Sequence, residues 1–186
     1  MANNKNGIKN NIYINYSKDK MNESNARYEP ILANNDDIPQ MNKICEEFWG
    51  ENGSYPEDLF ITALKQNLSY VYKEKNIIIA FCIAEYDKAE EKICISYLCV
   101  KPEYQKKGYG KSLLTFCIKN CINKGYTKFY LYVAVTNENA IKLYEKLGFY
   151  KDRFVKNYYP YDLPPNDDAF LMKLIITDKN YEKLMK

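Results

Sequence analysis

Histidine is absent from the 186-residue chain, which removes the commonest general base at neutral pH and excludes every Ser-His and Cys-His triad. The six cysteines, Cys45, Cys82, Cys94, Cys99, Cys117 and Cys121, include no C-x-x-C pair, so neither a structural zinc site nor a redox dithiol is expected and no metal is assigned. They read as small buried hydrophobes in a reducing compartment. No apolar run reaches the roughly 18–20 residues that cross a bilayer, and the first residues are too polar for a signal peptide. No membrane partner is expected, and a cytoplasmic location is the default. Long runs of one charge are missing too: the formal charge is +3, with lysines scattered among acidic residues. That argues against nucleic acid as a direct partner and leaves only a local basic patch at Lys101, Lys106, Lys107 and Lys111.

What the chain does have is tyrosine, 19 of them, each with packing surface and a polar end. The length suits one domain. Residues 1–26 are rich in Asn and Lys without a sustained apolar period and are expected to be a disordered extension, the alternative being that "NIYINY" adds an edge strand. A single domain is expected over residues 27–176, and residues 177–186 are expected to be a tail or a short helix.

Period-2 and short apolar runs mark strands at "YEPILA", "LSYVYKE", "IIIAFCIAEY", "KICISYLCV", "KFYLYVAV", "FYKDRFVKNYY" and "DAFLMKLII", with a turn at Lys75-Asn76. Helical spacing marks "DDIPQMNKICEEFW", "EDLFITALKQN", "GKSLLTFCIKNCINKG" and "NENAIKLYEKLG", the third ending at Gly125 and the fourth opening at Asn137 and stopping at Gly148. The order β-α-α-β-β-β-α-β-α-β-β implies a layered α/β (α+β) architecture with a mixed sheet.

Gly110-Lys111-Ser112 has the form of the end of a phosphate-binding P-loop. The earlier glycine that such a loop needs is replaced by Gln105. A dinucleotide fingerprint fails as well, since Gly108 and Gly110 are followed by Leu113 at the third position. What remains is a strand ending near Val100, a turn, and two glycines opening a helix whose first N–H groups lack internal partners. With Lys106, Lys107 and Lys111 nearby, such an end favours an anion such as a pyrophosphate; the bland alternative is a glycine turn with solvated lysines.

Residues 100–114, "VKPEYQKKGYGKSLL", contain Q-x-x-G-x-G without a gap and resemble the acetyl-coenzyme A signature of the GCN5-related N-acetyltransferase (GNAT) superfamily. A second segment, "NENAIKLYEKLGF", residues 137–149, resembles the N-x-x-A-x-x-x-Y-x-x-x-G-F segment of the same family. The resemblance implies a mostly antiparallel central sheet of about seven strands flanked by about four helices, with acetyl-CoA as cosubstrate. It implies that the amides of Gln105, Lys106, Lys107, Gly108, Tyr109, Gly110, Lys111 and Ser112 bind the pyrophosphate. Leu98, Cys99 and Val100 would offer backbone groups to the pantetheine arm and polarise the thioester carbonyl. Asn137 and Ala140 would lie beside the pantetheine and Tyr144 beside the sulfur, as proton donor to the thiolate. Helical spacing by itself also fits Tyr144 as a core residue.

The third segment, "KNYYPYDLPPNDDAFLMKL", residues 156–174, resembles the ending of protein N-terminal acetyltransferases, including ribosomal-protein alanine N-acetyltransferases. This implies a protein or peptide N-terminus as substrate, with Tyr158 and Tyr159 lining its groove and Phe48, Trp49 and Tyr55 on the other wall. An auxiliary subunit or the ribosome is left open as a partner. The family's usual Glu or His base falls on Tyr132, and a Tyr used by some relatives falls near Cys94, with Tyr97 three residues on. A water-mediated base assisted by Tyr132, Tyr97 or Glu85 is therefore expected. Two other readings stay in play: acetylation of a small amine such as an amino sugar or polyamine, and an acyl-CoA binding module without catalysis.

Overall fold

The computed structural model describes residues 29–49, 57–159 and 167–185; the extension read into residues 1–26 lies outside them. Strands β1 (Ile31–Leu32), β2 (Tyr70–Glu74), β3 (Ile77–Asp87), β4 (Lys92–Val100), β5 (Lys128–Ala134), β6 (Tyr150–Val155) and β7 (Ala169–Ile175) form one sheet in the order β1-β2-β3-β4-β5-β7-β6. Every neighbouring pair is antiparallel except β4 and β5. The helices are α1 (Ile38–Trp49), α2 (Glu57–Leu64), α3 (Tyr109–Asn123), α4 (Glu138–Lys146) and α5 (Asp178–Met185). The expected seven-stranded, mostly antiparallel sheet with helices against it is what the chain forms, and α5 occupies the segment expected to be a tail or short helix.

Burial follows the sequence pattern. β3 is apolar almost throughout, and Ile78 to Ala84 are all buried, because helices cover both faces of this central strand. On β5 the pattern alternates: Phe129, Leu131 and Val133 are buried and Tyr130 and Tyr132 half-buried, so one face meets the core. That core lies under α3 and α4 and includes Leu113, Leu114, Cys117, Ile141 and Tyr144. A second core on the opposite face joins Met41, Ile44 and Cys45 of α1 with Phe60 and Leu64 of α2 and with Phe81, Ile83 and Cys99 of the sheet.

Two strands are shorter than their apolar runs. "YEPILA" contributes only Ile31 and Leu32, because Asn34 turns the chain into a capping box in which its side chain accepts from Asp36 N–H and Asp37 accepts from Asn34 N–H. β6 stops at Val155 because Asn157 adopts φ +52°, a left-handed conformation that no strand tolerates. Its N–H is held by the Asp168 carboxylate at 2.9 Å. Tyr158 and Tyr159 therefore lie beyond the end of the strand. The Lys75-Asn76 turn has both residues left-handed, at φ +48° and +67°, the two-residue hairpin geometry.

Candidate active site

β4 and β5 pair only through Ile93 with Phe129 and Cys94 with Tyr130. Beyond that point the two strands part among the described residues. β4 stays bound to β3 by its other edge, with a bulge where the register shifts between Ile83 and Ala84 on β3, opposite Tyr97 and Ile95. The extra residue changes which side chains face which way: Ile93 and Ile95 join the α3 core, whereas Tyr97 and Cys99 join the α1 and α2 core. A bulge also bends and twists its strand, which is how one strand of a sheet is turned away from its neighbour.

The backbone of the free half of β4 faces the opening. Lys101 donates its N–H to the Ile79 carbonyl at 2.9 Å, and in an antiparallel ladder the direction of N–H and C=O alternates. Leu98 and Val100 therefore aim their backbone polar groups away from β3. Gln105 donates from its side-chain amide to the Val100 carbonyl at 3.0 Å, tying the following loop to the strand. Leu98 thus presents a donor and an acceptor to the opening, where an amide-bearing arm could complete the ladder.

The loop ends at Gly108, the N-cap of α3, with φ +90°, a backbone conformation that favours glycine. Ser112 donates its N–H to the Gly108 carbonyl at 3.0 Å, closing the first helical turn. The N–H groups of Tyr109, Gly110 and Lys111 precede that closure and are open to an anion. At Gly110 an added Cβ would meet Val100 Cγ2 at 3.4 Å and Leu143 Cδ2 at 3.9 Å, ordinary van der Waals distances that place the start of α3 against β4 and α4. Lys106, Lys107 and Lys111 are exposed around the loop.

A cluster of tyrosines that sequence reasoning did not single out holds this loop to the sheet. Tyr72 on β2 shares a hydrogen bond with the Ser112 hydroxyl at 2.8 Å, and Tyr104 donates to the Glu74 carboxylate. The Tyr109 ring meets Tyr72 and Tyr104 edge-on, with centroids 5.5 and 6.0 Å apart, and Lys107 Nζ lies 5.3 Å from the Tyr104 ring. The side chains of Ser112 and Tyr109 thus anchor the loop, and their backbone amides are what it presents. Replacing both hydroxyl anchors, in the Tyr72→Phe, Tyr104→Phe double variant, is expected to raise the KM for the anionic substrate several-fold while kcat holds. Two lost hydrogen bonds at about 1 kcal/mol each bound the effect; steady-state kinetics with the anionic substrate varied measures it, and an unchanged KM would mean the loop is rigid without them.

Tyr144 of α4 is 8 % exposed. Burial pushes its phenol well above the ordinary tyrosine range, reinforced by Cys82, Cys99 and Tyr159, so it stands protonated. Asn137 caps α4, its side-chain oxygen accepting from Ala140 N–H at 3.1 Å, which sets the helix that carries Tyr144. Across the sheet, Tyr132 stacks on Tyr158 at 4.0 Å between centroids and 13° between planes, and Tyr159 meets Tyr158 edge-on at 4.8 Å. Tyr159 is fixed by its N–H on the Asp167 carbonyl at 2.9 Å. Of the residues read as the other groove wall, Phe48 is exposed near the end of α1, Trp49 closes that helix, and Tyr55 lies outside the described residues. Tyr97 is half-buried with its ring against Phe60 and Phe81, at 5.9 and 6.4 Å.

On the same face, below the point of parting, lies a polar stripe. Ser96 donates to the Glu85 carboxylate at 2.7 Å, with Cys94 Sγ 3.6 Å from its hydroxyl. Tyr130 donates to Asp87 at 2.6 Å. That bond, aided by the Glu90 and Ala89 backbone, holds the Asp87 carboxyl below its usual range. Burial pushes the Cys94 thiol up. Ser96, Asp87 and Tyr130 carried no sequence signal, because strands distant along the chain bring them together. Among the described residues no group of His, Cys, Asp and Glu forms a metal site, and no helix is long and apolar enough to cross a membrane.

Comparison with known proteins gives the family and the fold. Residues 38–149 match the model of the acetyltransferase (GNAT) family. A [Ribosomal protein bS18]-alanine N-acetyltransferase of Haemophilus ducreyi is 34% identical over 110 residues, spanning 59% of this chain and 73% of that protein. The protein of that name from Escherichia coli is 38% identical over 80 residues, 43% of this chain and 53% of that sequence. The crystal structure of the E. coli ribosomal-protein-S18-alanine N-acetyltransferase superposes with TM-score 0.70 at 26% identity, covering 81% of this chain and 95% of that one. The NatC complex bound to Gag peptide and CoA shares the fold, with TM-score 0.70 at 23% identity over 81% of this chain and 98% of that one.

Proposed function

The chain belongs to the acetyltransferase (GNAT) family and is an acetyl-CoA-dependent N-acetyltransferase, and from that premise we propose that it acetylates the α-amino group of a protein or peptide N-terminus by direct attack in a ternary complex. The observation that carries this reading is the stacked Tyr132 and Tyr158 pair beside Tyr159, which gives the open face of β5 an aromatic wall suited to an extended peptide. The names of the bS18-alanine relatives point to the same substrate class.

The residues present fit the cosubstrate. The amides of Tyr109, Gly110 and Lys111 at the start of α3 suit a pyrophosphate, and the exposed lysines around them add positive charge. The free edge of Leu98 suits the amides of a pantetheine arm, and its N–H can polarise the thioester carbonyl. Bound there, acetyl-CoA supplies an activated acyl group. Tyr144, buried and protonated, donates a hydrogen bond to the departing sulfur. An N-terminal amine, with pKa of roughly 7.7–8.0, is already about a tenth to a fifth neutral near pH 7. Both the acetyl donor and nascent N-termini are met in the cytoplasm, where we place the protein.

A peptide-library assay with mass readout tests the reading, with alanine-initiated peptides in the first panel. Acetylation of free α-amines at least tenfold faster than of lysine side chains or of spermidine is the expected outcome. Turnover confined to lysine or a polyamine would replace it with a small-amine or side-chain acetyltransferase. Binding of acetyl-CoA without turnover on any amine would leave a non-catalytic module.

A further inference from the structure

We propose that Ser96 and Glu85 form the proton relay for the substrate amine, with Ser96 touching the amine and Glu85 acting through it as the proton acceptor. This rests on the acetyl-transfer reading above. The position where the sequence could have placed a carboxylate, on β5, is Tyr132, whose ring is stacked on Tyr158. A carboxylate is supplied instead from the opposite side of the opening. Cys94 is paired with both Glu85 on β3 and Tyr130 on β5, so the three lie side by side across the sheet. Ser96, two residues beyond Cys94, stands at the bulge where β4 leaves β5, and turns its hydroxyl back to Glu85 at 2.7 Å.

Two of the other carboxylates near this face are already committed. Asp87 accepts from Tyr130 and from the Ala89 and Glu90 amides, which stabilise its charged form and weaken it as a base. Asp152 is paired with Lys173 at 2.7 Å. Asp167 is buried beside Tyr159, and its Oδ1 has no hydrogen-bond partner among the described residues, so it is the competitor to exclude. Glu85 is half-buried and in no ion pair among the described residues, and the Ser96 hydroxyl that donates to it can pass a proton in either direction. Facing it are Cys94 and Tyr130 on the neighbouring strands and Asp87 on its own. The charged residues of the helices on this side, Lys43, Glu46 and Glu47 of α1 and Glu57 and Asp58 of α2, are exposed, as is Lys65 beyond α2.

The step balances as follows. An ammonium N–H proton passes to the Ser96 oxygen as the Ser96 proton moves to Glu85, and Glu85 later releases it to solvent. The freed nitrogen lone pair forms the C–N bond to the acetyl carbon, and the C–S bond breaks with its electron pair on sulfur. A second amine proton replaces the one that Tyr144 gives to sulfur. Glu85 is in this scheme a positioning residue for Ser96 and the sink for the first proton.

The test compares wild type, Glu85→Gln, Glu85→Asp, Ser96→Ala and Asp167→Asn across pH with acetyl-CoA and an alanine-initiated peptide. Glu85→Gln is isosteric, so thermal stability and the Kd for acetyl-CoA should match wild type. Its kcat/KM for the peptide should fall on the order of 10²-fold at pH 7, the lower end for general base catalysis. The deficit should shrink by about five- to tenfold above about pH 9, where the amine arrives neutral. Ser96→Ala should show the same pH-dependent deficit, and Glu85→Asp should recover part of the rate. A wild-type pH profile in Glu85→Gln, a loss uniform across pH, or a pH-dependent loss in Asp167→Asn with Glu85→Gln silent would overturn the relay. Should wild type instead prefer a lysine or polyamine nitrogen, the peptide reading fails alone, and the same variants measured on that nitrogen still decide the relay.

Discussion

Replacing Tyr144 with phenylalanine is expected to lower kcat on the order of 10²-fold, the cost of one preorganised donor to a developing charge, while the Kd for acetyl-CoA stays within about twofold. The phenol is held protonated by burial, and its ring fills the core under α4, in contact with Phe149 at 5.8 Å between centroids. Phenylalanine keeps that packing and deletes only the hydroxyl. Full transfer of the phenol proton to a thiolate is uphill for a group whose pKa burial has raised, so the hydroxyl stabilises the departing sulfur by hydrogen bonding and its proton moves to sulfur only as an amine proton replaces it. Stopped assays of thiol release give kcat, and calorimetry gives the coenzyme affinity. An unaltered kcat would remove Tyr144 from the chemistry and leave it a core tyrosine.

A large loss of stability is expected at Asp37. Its side chain is 2% exposed and lies 2.5 Å from Lys73 Nζ, which is 22% exposed, and it also accepts from the Asn34 N–H at 3.2 Å. Asp37→Ala removes the carboxylate, opens the capping box before α1 and leaves Lys73 partly buried without its partner. Breaking a buried pair costs about 3–5 kcal/mol; the residual solvent at Lys73 puts this one at about 2–3 kcal/mol. At roughly 2–4 °C per kcal/mol for a chain of this size, the melting temperature should drop by about 5–10 °C. Thermal unfolding followed by circular dichroism measures it. Because α1 and α2 back the Tyr97 side of the opening, the KM for peptide should rise along with the loss; a change under about 0.5 kcal/mol would mean that α1 is held by its apolar face alone.

Much of the fold was legible from local pattern. The run of residues 77–86 read as a strand because eight apolar residues in succession, Ile77 to Ala84, suit a strand covered on both faces. The α3 stripe read as a helix because Leu113, Leu114, Cys117, Ile118 and Cys121 repeat at helical spacing, and all five are buried. Strand ends were less legible. β6 was expected to run on to Tyr159 and ends at Val155, since a left-handed Asn157 depends on Asp168, eleven residues along the chain. The site divides in the same way. The loop from Gln105 to Ser112 was readable because a glycine turn and a helix start are set locally, and Tyr144 stood at a marked helical position. The Tyr72 and Tyr104 anchors were not readable, since their partners Ser112 and Glu74 are 40 and 30 residues away.

The amino-acid sequence alone determined the order of strands and helices, the glycine loop that opens α3, the absence of a histidine base and the position of the buried tyrosine, because each depends on neighbours within a turn or two of chain. Only the tertiary structure decided that β4 and β5 part after Cys94 and Tyr130, which face Tyr97 takes, and that Glu85 reaches Ser96. Those outcomes follow from a bulge and from sheet register, which are pairings between segments remote in sequence and have no local pattern to announce them.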